Sequence, residues 1–357
     1  MEERIALRSK RAVDCFKDYG IESLLLTKVA DIQYITGIPG DDCTVLLTGD
    51  KNYIITDFRY EEAVSVLKPE FEVVITVRES ELFDFIKKLD LGSLGVQDEN
   101  LTLNIYNDLC QILDKEKIIP ATGLVENLRC IKDQEEIKLI THSEHICDLA
   151  FEHILSFLKP GISEKLVALE LEHFMKLQGA DGLSFSTISV SGANSSRPHG
   201  IPSDKLLENG DFLTMDYGCI YKGYCSDMTR TVAIGYATDE MKTVYNTVLE
   251  AQLYACENLK AGMHVKDGDA LARNIIEKAG YGKYFGHSLG HGVGLEIHED
   301  PFLSFRAEHI LEENMIITIE PGIYIPGKFG VRIEDLAVVT ENGIINKTKS
   351  TKELIII

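Results

Sequence analysis

Apolar positions recur along this chain in two rhythms, and the change of rhythm marks its elements. In residues 1–127 short apolar runs alternate with amphipathic stretches. A helical pattern precedes Gly20, ESLLLT reads as a strand, and TVLLTGDKNYIITD reads as a hairpin turning at Gly49-Asp50. FEVVITV and SLGVQ are further strands, with ESELFDFIKKL as a helix between them. Helix and strand signals in alternation predict an α/β domain with a mixed sheet. The boundary falls near Pro120–Leu128, which gives domains of 1–127 and 128–357. Beyond it, Asp133 and Glu136 form a capping-box signature. Ile140, Cys147, Phe151, Ile154 and Leu158 then make an apolar helical stripe that stops at Pro160-Gly161. Ser163 opens a second helix running to Gly179. Thr238-Asp239 opens a third that ends near Gly262, and a shorter helix is predicted from about Asp267 to Gly280.

The second domain repeats itself. FLKPGISEK (157–165) resembles NLKAGMHVK (258–266), each lying between two helices, and each half ends in a carboxylate-bearing hairpin. The first hairpin is Phe212–Thr231, with Asp216 and Asp227 flanking a Tyr-Lys-Gly turn. Strand side chains alternate faces, so a two-residue turn at Tyr221-Lys222 or Lys222-Gly223 puts both acids on one face. Like charges that close repel and raise at least one pKa unless a cation lies between them. The second hairpin, MIITIEPGIYIPGKFGVRIEDLAVV, carries Glu320 and Glu334. Glu320 follows MIITI and Asp216 follows FLTM, both runs typical of buried strands, and buried acids need partners.

Histidines cluster in FGHSLGHGVGLEIHED. His287 and His291 have the spacing of a helical metal pair, but glycines at 286, 290, 292 and 294 oppose a helix. The run instead reads as a Gly-rich turn into a strand, VGLEIHE, with backbone free to approach closely. His199 lies on a Pro/Gly loop, SSRPHGIP. Oxygen-rich ligands with one imidazole suit pairs of Mn²⁺, Co²⁺, Fe²⁺ or Zn²⁺ rather than a thiolate zinc site. Two such ions can lower the pKa of a shared water toward about 7, while a glutamate carries its proton to a leaving nitrogen. The chemistry expected is metal-assisted amide hydrolysis.

Composition narrows the class. Acids outnumber bases 57 to 36, a net charge of −21, which repels nucleic acid and anionic membranes. Eight cysteines with no CxxC read as reduced thiols. The first residues form a mixed-charge amphipathic stretch without the apolar run of a secretory signal, and no run approaches the roughly 18 apolar residues of a membrane span. The expectation is a cytoplasmic protein, with the sequons at Asn194 and Asn346 chance matches.

Taken in order, MDYG, SDMTRT, GHGVGLEIHE, ITIEPGIY and VRIED resemble the metallopeptidases of the pita-bread fold, in particular peptidase family M24 and its Xaa-Pro aminopeptidases and Xaa-Pro dipeptidases (prolidases). The resemblance is strong over 128–357. The first domain, with DIQYITG and FRYEEA, resembles the creatinase/prolidase N-terminal domain. The implied fold class is α+β: a pita-bread catalytic domain with pseudo-twofold duplicated halves, preceded by a smaller α/β creatinase-type domain.

The resemblance implies that Asp216, Asp227, His291, Glu320 and Glu334 ligate two divalent metal ions, Mn²⁺ first, with Co²⁺, Zn²⁺ or Fe²⁺ also fitting. Asp227 and Glu334 would bridge both ions. Glu320 would be the proton shuttle, and His287 and His298 would hydrogen-bond the scissile region. His199 would border the substrate pocket, with Arg332 and Tyr324 supporting the substrate-binding wall. Short proline-containing peptides are the implied substrates and a homodimer the implied assembly.

Proline specificity has a physical basis. The Xaa-Pro bond is a tertiary amide with no N–H and a fixed φ, so a peptidase that grips the N–H fails on it. Some prolidases carry an arginine soon after HE-x-P to pair a dipeptide carboxylate. Here HEDP is followed by Phe302, and the nearest arginine is Arg306. That favours an aminopeptidase releasing the residue before proline, with a dipeptidase as the alternative. A metal-free creatinase-like amidinohydrolase or a non-catalytic binding module would have lost acidic ligands, and this chain has all five. A methionine aminopeptidase fits the large first domain and the SSRPHG loop poorly.

Overall fold

The computed structural model describes residues 2–67, 69–78 and 80–357. Contacts divide the chain into two compact units, Met1–Arg129 and Cys130–Ile357.

The first unit is built on a six-stranded mixed sheet. Its spatial order is Phe71–Ile75, Asn52–Thr56, Thr44–Thr48, Ser23–Leu26, Leu94–Val96 and Ile118–Pro120. Ser23–Leu26 is buried along its whole length, as a central strand covered on both faces must be. It runs antiparallel to Thr44–Thr48 and parallel to Leu94–Val96. The hairpin at Gly49-Asp50 forms as the pattern predicts, with Leu47 opposite Asn52. Arg129 and Asp31 make a buried ion pair at 2.6 Å.

The second unit has two cores, one per half. In the first, helices Gln134–Phe157 and Glu164–Leu177 bury Ile146, Phe151, Val167 and Leu171 against Leu213, Met215, Tyr217, Met228 and Val232. In the second, helices Asp239–Asn258 and Val265–Lys278 bury Val244, Val248, Ala272 and Ile276 against Ile317, Ile319, Ala337 and Val339. The first helix starts where its signature says. Asp133 accepts from the amides of Glu135 and Glu136, while the Glu136 side chain accepts from the Asp133 amide. That helix ends at Phe157, before Pro160, and the fourth begins at Val265 rather than Asp267.

The duplication is visible in backbone pairing. Ser163 bridges Leu206 antiparallel, and His264 bridges Ile310 in the same way. Strand Phe212–Tyr217 pairs with Met228–Ala233, as Ile316–Ile319 pairs with Asp335–Thr340. Alternation decides which residues face the helices. In Phe212–Tyr217, Leu213, Met215 and Tyr217 point into the first helical core, so Thr214 and Asp216 take the other face.

The strand predicted over VGLEIHE is displaced. The strands are Gly290–Gly292 and Glu299–Leu303, and residues between them form bends. The glycines themselves are the strand because its neighbours lie too close for a side chain. A Cβ on Gly290 would fall 2.0 Å from the carbonyl oxygen of Thr318, and one on Gly292 2.4 Å from that of Asp300.

Candidate active site

The first hairpin turns at Lys222-Gly223, both with positive φ, so Ile220 faces Cys225 and Tyr221 faces Tyr224. In the same register Asp216 lies opposite Thr229. Asp227 is two residues before Thr229, so it shares the face of Asp216 diagonally across the ladder. In the second half Ile319 lies opposite Asp335, so Glu320 and Glu334 flank the end of that ladder, with the Glu320 amide donating to the Leu289 carbonyl and the Glu334 amide to that of Thr229. Both pairs open on one cleft of about 480 Å³. Asp216, Asp227, His291, Glu320 and Glu334 all line it, together with His199, His287, His298 and Arg332. Its walls are apolar, formed by Phe185, Ile188, Ile201, Pro202, Ile297 and Phe302.

At the centre, ligand atoms of Asp227, His291 and Glu334 lie within 4.8 Å of one another. His291 Nε2 is 3.4 Å from Asp227 Oδ2 and 3.7 Å from Glu320 Oε1. The His291 Nδ1 is 3.0 Å from the Gly292 carbonyl, an acceptor, so Nδ1 carries the proton in the neutral ring. Nε2 then turns its lone pair toward two carboxylate oxygens.

Burial pushes Asp227 well above the usual carboxylate range, and the neighbouring charges of Asp216 and Glu320 push it further. Glu334 is raised likewise, by burial and then by Asp227. Glu320 rises to about 7, again through burial first, although His291 and Arg332 pull it down. Oδ1 of Asp216 and Oδ1 of Asp227 are buried without a hydrogen-bond partner. Four carboxylates, two orphaned oxygens and an imidazole lone pair aimed at one space are what a divalent cation site requires. The residues fit.

A hydrogen-bonded frame holds this cluster. Arg332 donates through Nη2 to Asp216, through Nε to Thr229 Oγ1 at 3.0 Å and through Nη1 to the Tyr324 hydroxyl at 2.7 Å. Thr229 in turn donates to Glu334 Oε2 at 2.6 Å. The Tyr324 hydroxyl is 2.9 Å from His287 Nε2, and His287 Nδ1 is 2.8 Å from the Ser288 carbonyl. Since that carbonyl can only accept, Nδ1 bears the proton and Nε2 accepts from Tyr324. Burial, then Arg332, lowers His287 to about 3.

The frame places the remaining candidates. Tyr324 is buried behind the cleft rather than along its wall. His287 lines the cleft with both ring nitrogens within hydrogen-bond distance of partners in the protein. His298 is the freer imidazole: exposed, it lies with its ring 4.5 Å from that of His291. Burial and then His291 lower its pKa. His199 lines the cleft and is exposed.

Sequence reasoning passed over Thr229, Glu144 and the apolar walls. Glu144 accepts from Thr348 Oγ1 at 2.5 Å and from the Asp227 amide at 3.3 Å. The SDMTRT motif held the signal for Thr229, two residues beyond Asp227 on the same face. Nothing short-range marks Glu144, which meets Thr348 across 204 residues.

A duplicated fold with a buried carboxylate cluster at the junction of its halves defines a metal-dependent hydrolase. Comparison with known proteins gives the family. Residues 138–341 match Metallopeptidase family M24 and residues 8–131 the Creatinase/Prolidase N-terminal domain, so the chain belongs to family M24 and carries the pita-bread fold. A solved Xaa-Pro dipeptidase from Bacillus anthracis is 46% identical, with 99% of this chain and 100% of that one covered at a TM-score of 0.96. The Xaa-Pro dipeptidase of Pyrococcus furiosus is 38% identical over 99% of this chain and 100% of its own length. An X-Pro aminopeptidase from Thermotoga maritima is 36% identical, with 98% and 100% coverage and a TM-score of 0.88. The chain is a metallo-exopeptidase. Among the described residues, no helix is long and apolar enough to cross a membrane.

Proposed function

We propose that the protein hydrolyses Xaa-Pro bonds with a pair of divalent cations, Mn²⁺ foremost, held by Asp216, Asp227, His291, Glu320 and Glu334. The observation that carries this reading is the excess of buried carboxylate, with two oxygens left unpartnered, at the centre of the cleft. When bound, the cations would supply Lewis acidity and lower the pKa of a water.

The chain's own groups would do the rest. Glu320, raised to about 7 without a cation, takes a proton from the attacking water and returns it to the proline nitrogen. That transfer matters because a tertiary amide leaves poorly without protonation. His298 donates to the oxygen of the tetrahedral species formed from the scissile carbonyl. His287 acts as a positioning residue that holds Tyr324, and through it Arg332, in place. The apolar walls suit a proline ring, and His199 borders the substrate.

Xaa-Pro dipeptides are the preferred substrates on this reading, supported by the dipeptidase names of the Bacillus anthracis and Pyrococcus furiosus relatives. One observation favours the aminopeptidase as a second reading. Apart from histidines, the one cation among the described residues lining the cleft is Arg332, already paired with Asp216; Phe302 lines the cleft and Arg306 does not. The test is chelation, then Mn²⁺ addition, with Ala-Pro and Arg-Pro-Pro as substrates. Metal-dependent release of proline from Ala-Pro, faster than release of arginine from Arg-Pro-Pro, is expected. The reverse order would establish the aminopeptidase, and no metal-dependent release from either would end the Xaa-Pro reading.

A further inference from the structure

Outside the carboxylate cluster, the fully buried acid Glu164 has no part in the chemistry described. Glu164 is the first residue of helix Glu164–Leu177 and is 0% exposed. Its carboxylate draws together two distant stretches of chain. Oε1 accepts from the Ser191 amide at 2.7 Å, from Ser191 Oγ at 2.9 Å and from Asn194 Nδ2 at 3.2 Å. Oε2 accepts from the Ser203 amide at 3.0 Å, from Ser203 Oγ at 2.6 Å and from Asn194 Nδ2 at 3.3 Å. Every facing group is a donor. Lys205, the neighbouring cation, donates to Ser191 Oγ at 3.0 Å and pairs with Asp211 at 2.5 Å.

Between Ser191 and Ser203 lies one wall of the cleft: Pro198, His199, Gly200, Ile201 and Pro202 all line it. Burial does little to fix this wall. Gly200 alone of the five is buried, and Ile201 is 84% exposed. Local order comes from hydrogen bonds, which a buried carboxylate facing several donors makes strong. The wall also reaches the metal-site frame, since Arg332 Nη1 donates to the Pro198 carbonyl at 3.4 Å.

The duplication shows that the fold itself does not need an acid there. Glu164 bonds through its amide to the Lys205 carbonyl at 3.0 Å, and Val265 bonds through its amide to that of His309 at 3.0 Å. The two positions are equivalent in the FLKPGISEK/NLKAGMHVK match, and Val265 is likewise 0% exposed. A buried apolar side chain therefore satisfies the same backbone position in the second half. The acid answers to the loop.

We propose that Glu164 is the positioning residue for the 198–202 wall of the cleft, and that it sets affinity for substrate rather than the rate of bond cleavage. The inference rests on the Xaa-Pro reading for the identity of that substrate. Two measurements on the full-length Mn²⁺-loaded protein test it. With Ala-Pro, Glu164→Gln should raise KM about tenfold or more while kcat stays within about threefold, since the amide nitrogen sets a donor against donors. Ser203→Ala, which keeps the carboxylate and removes one donor, should raise KM about two- to fourfold, and it carries the test if Glu164→Gln does not fold. Amide hydrogen exchange supplies a readout independent of turnover: it should accelerate in 192–203 and not in the flanking helices. A fall in kcat at constant KM, or exchange in 192–203 equal to that of the unaltered protein, would overturn the proposal. If the unaltered protein fails to cleave Ala-Pro, the Xaa-Pro reading falls, and exchange still decides whether Glu164 holds the wall.

Discussion

Glu334 and Asp335 are consecutive residues that enter two buried charge clusters of opposite character. Asp335 faces cations and donors: Arg230 at 2.7 Å on one oxygen, and Lys352 at 2.6 Å with Gln252 at 2.9 Å on the other. Arg230 also donates to the carbonyls of Thr351, Thr229, Glu334 and Ser350. Burial would raise Asp335, but Arg230 and Lys352 outweigh it and hold the carboxyl below its usual range. Glu334 turns the other way, toward Asp216, Asp227 and Glu320, with Arg332 as the sole arginine against four acids. One cluster closes its charge within the chain; the other leaves it open. A strand's alternation separates them by a single residue. Stability and function therefore lie back to back, and the open cluster alone calls for a ligand.

Mutations can break this contrast in sequence of size. Glu320→Gln should leave the fold intact and lower kcat by about two to four orders of magnitude, as loss of a proton shuttle does; near-normal turnover with metal bound would remove Glu320 from that role. Arg230→Met leaves Asp335 buried with a poorer partner set and should lower unfolding stability by about 3–5 kcal/mol, read by denaturant titration. In the metal-free protein Asp227→Asn should do the reverse, stabilising by about 1–2 kcal/mol, because it relieves repulsion between buried acids. Destabilisation of the metal-free protein by Asp227→Asn would erase the distinction between the clusters. Thr229→Val, which cuts the link from Arg332 to Glu334, should weaken metal affinity about tenfold, measured by competition with a chelator.

Acidity sharpens the same comparison. Carboxyls raised in the folded state contribute stability that is present at low pH and lost as pH climbs through the folded value. For Glu320 that value is about 7. His287 and His298, lowered in the folded state, act oppositely, but only below the ordinary histidine pKa of about 6.5. The metal-free protein should therefore lose Tm between about pH 6.5 and 8, and the Mn²⁺-loaded protein should not. Asp335 contributes stability above its unfolded value, lost only in strong acid as pH falls through its depressed folded value.

Much of this was legible in the chain. The capping box at Asp133 and Glu136, the helical stripe after it and the hairpin at Gly49-Asp50 follow from local rules, and all three form. The shared face of Asp216 and Asp227 followed from turn length and strand parity, which need no tertiary knowledge. The strand placed on VGLEIHE failed because close packing against Thr318 and Asp300, not propensity, makes Gly290–Gly292 the strand. The hydrogen-bond partners of His287, Tyr324 and the Ser288 carbonyl, are ones that periodicity cannot reveal. Ser163 read as a helix start, and only the folded loop shows what the carboxylate of the next residue, Glu164, holds.

The claim on which the rest depends is that the open cluster is a site for two cations. Equilibrium dialysis of the chelator-stripped protein against Mn²⁺, with metal counted per chain, tests it directly. Two ions bound per chain are expected, falling on Asp227→Asn or Glu334→Gln and unaffected by Lys352→Met beside Asp335. Binding absent from the unaltered protein, or undiminished in both acid variants, would contradict the account.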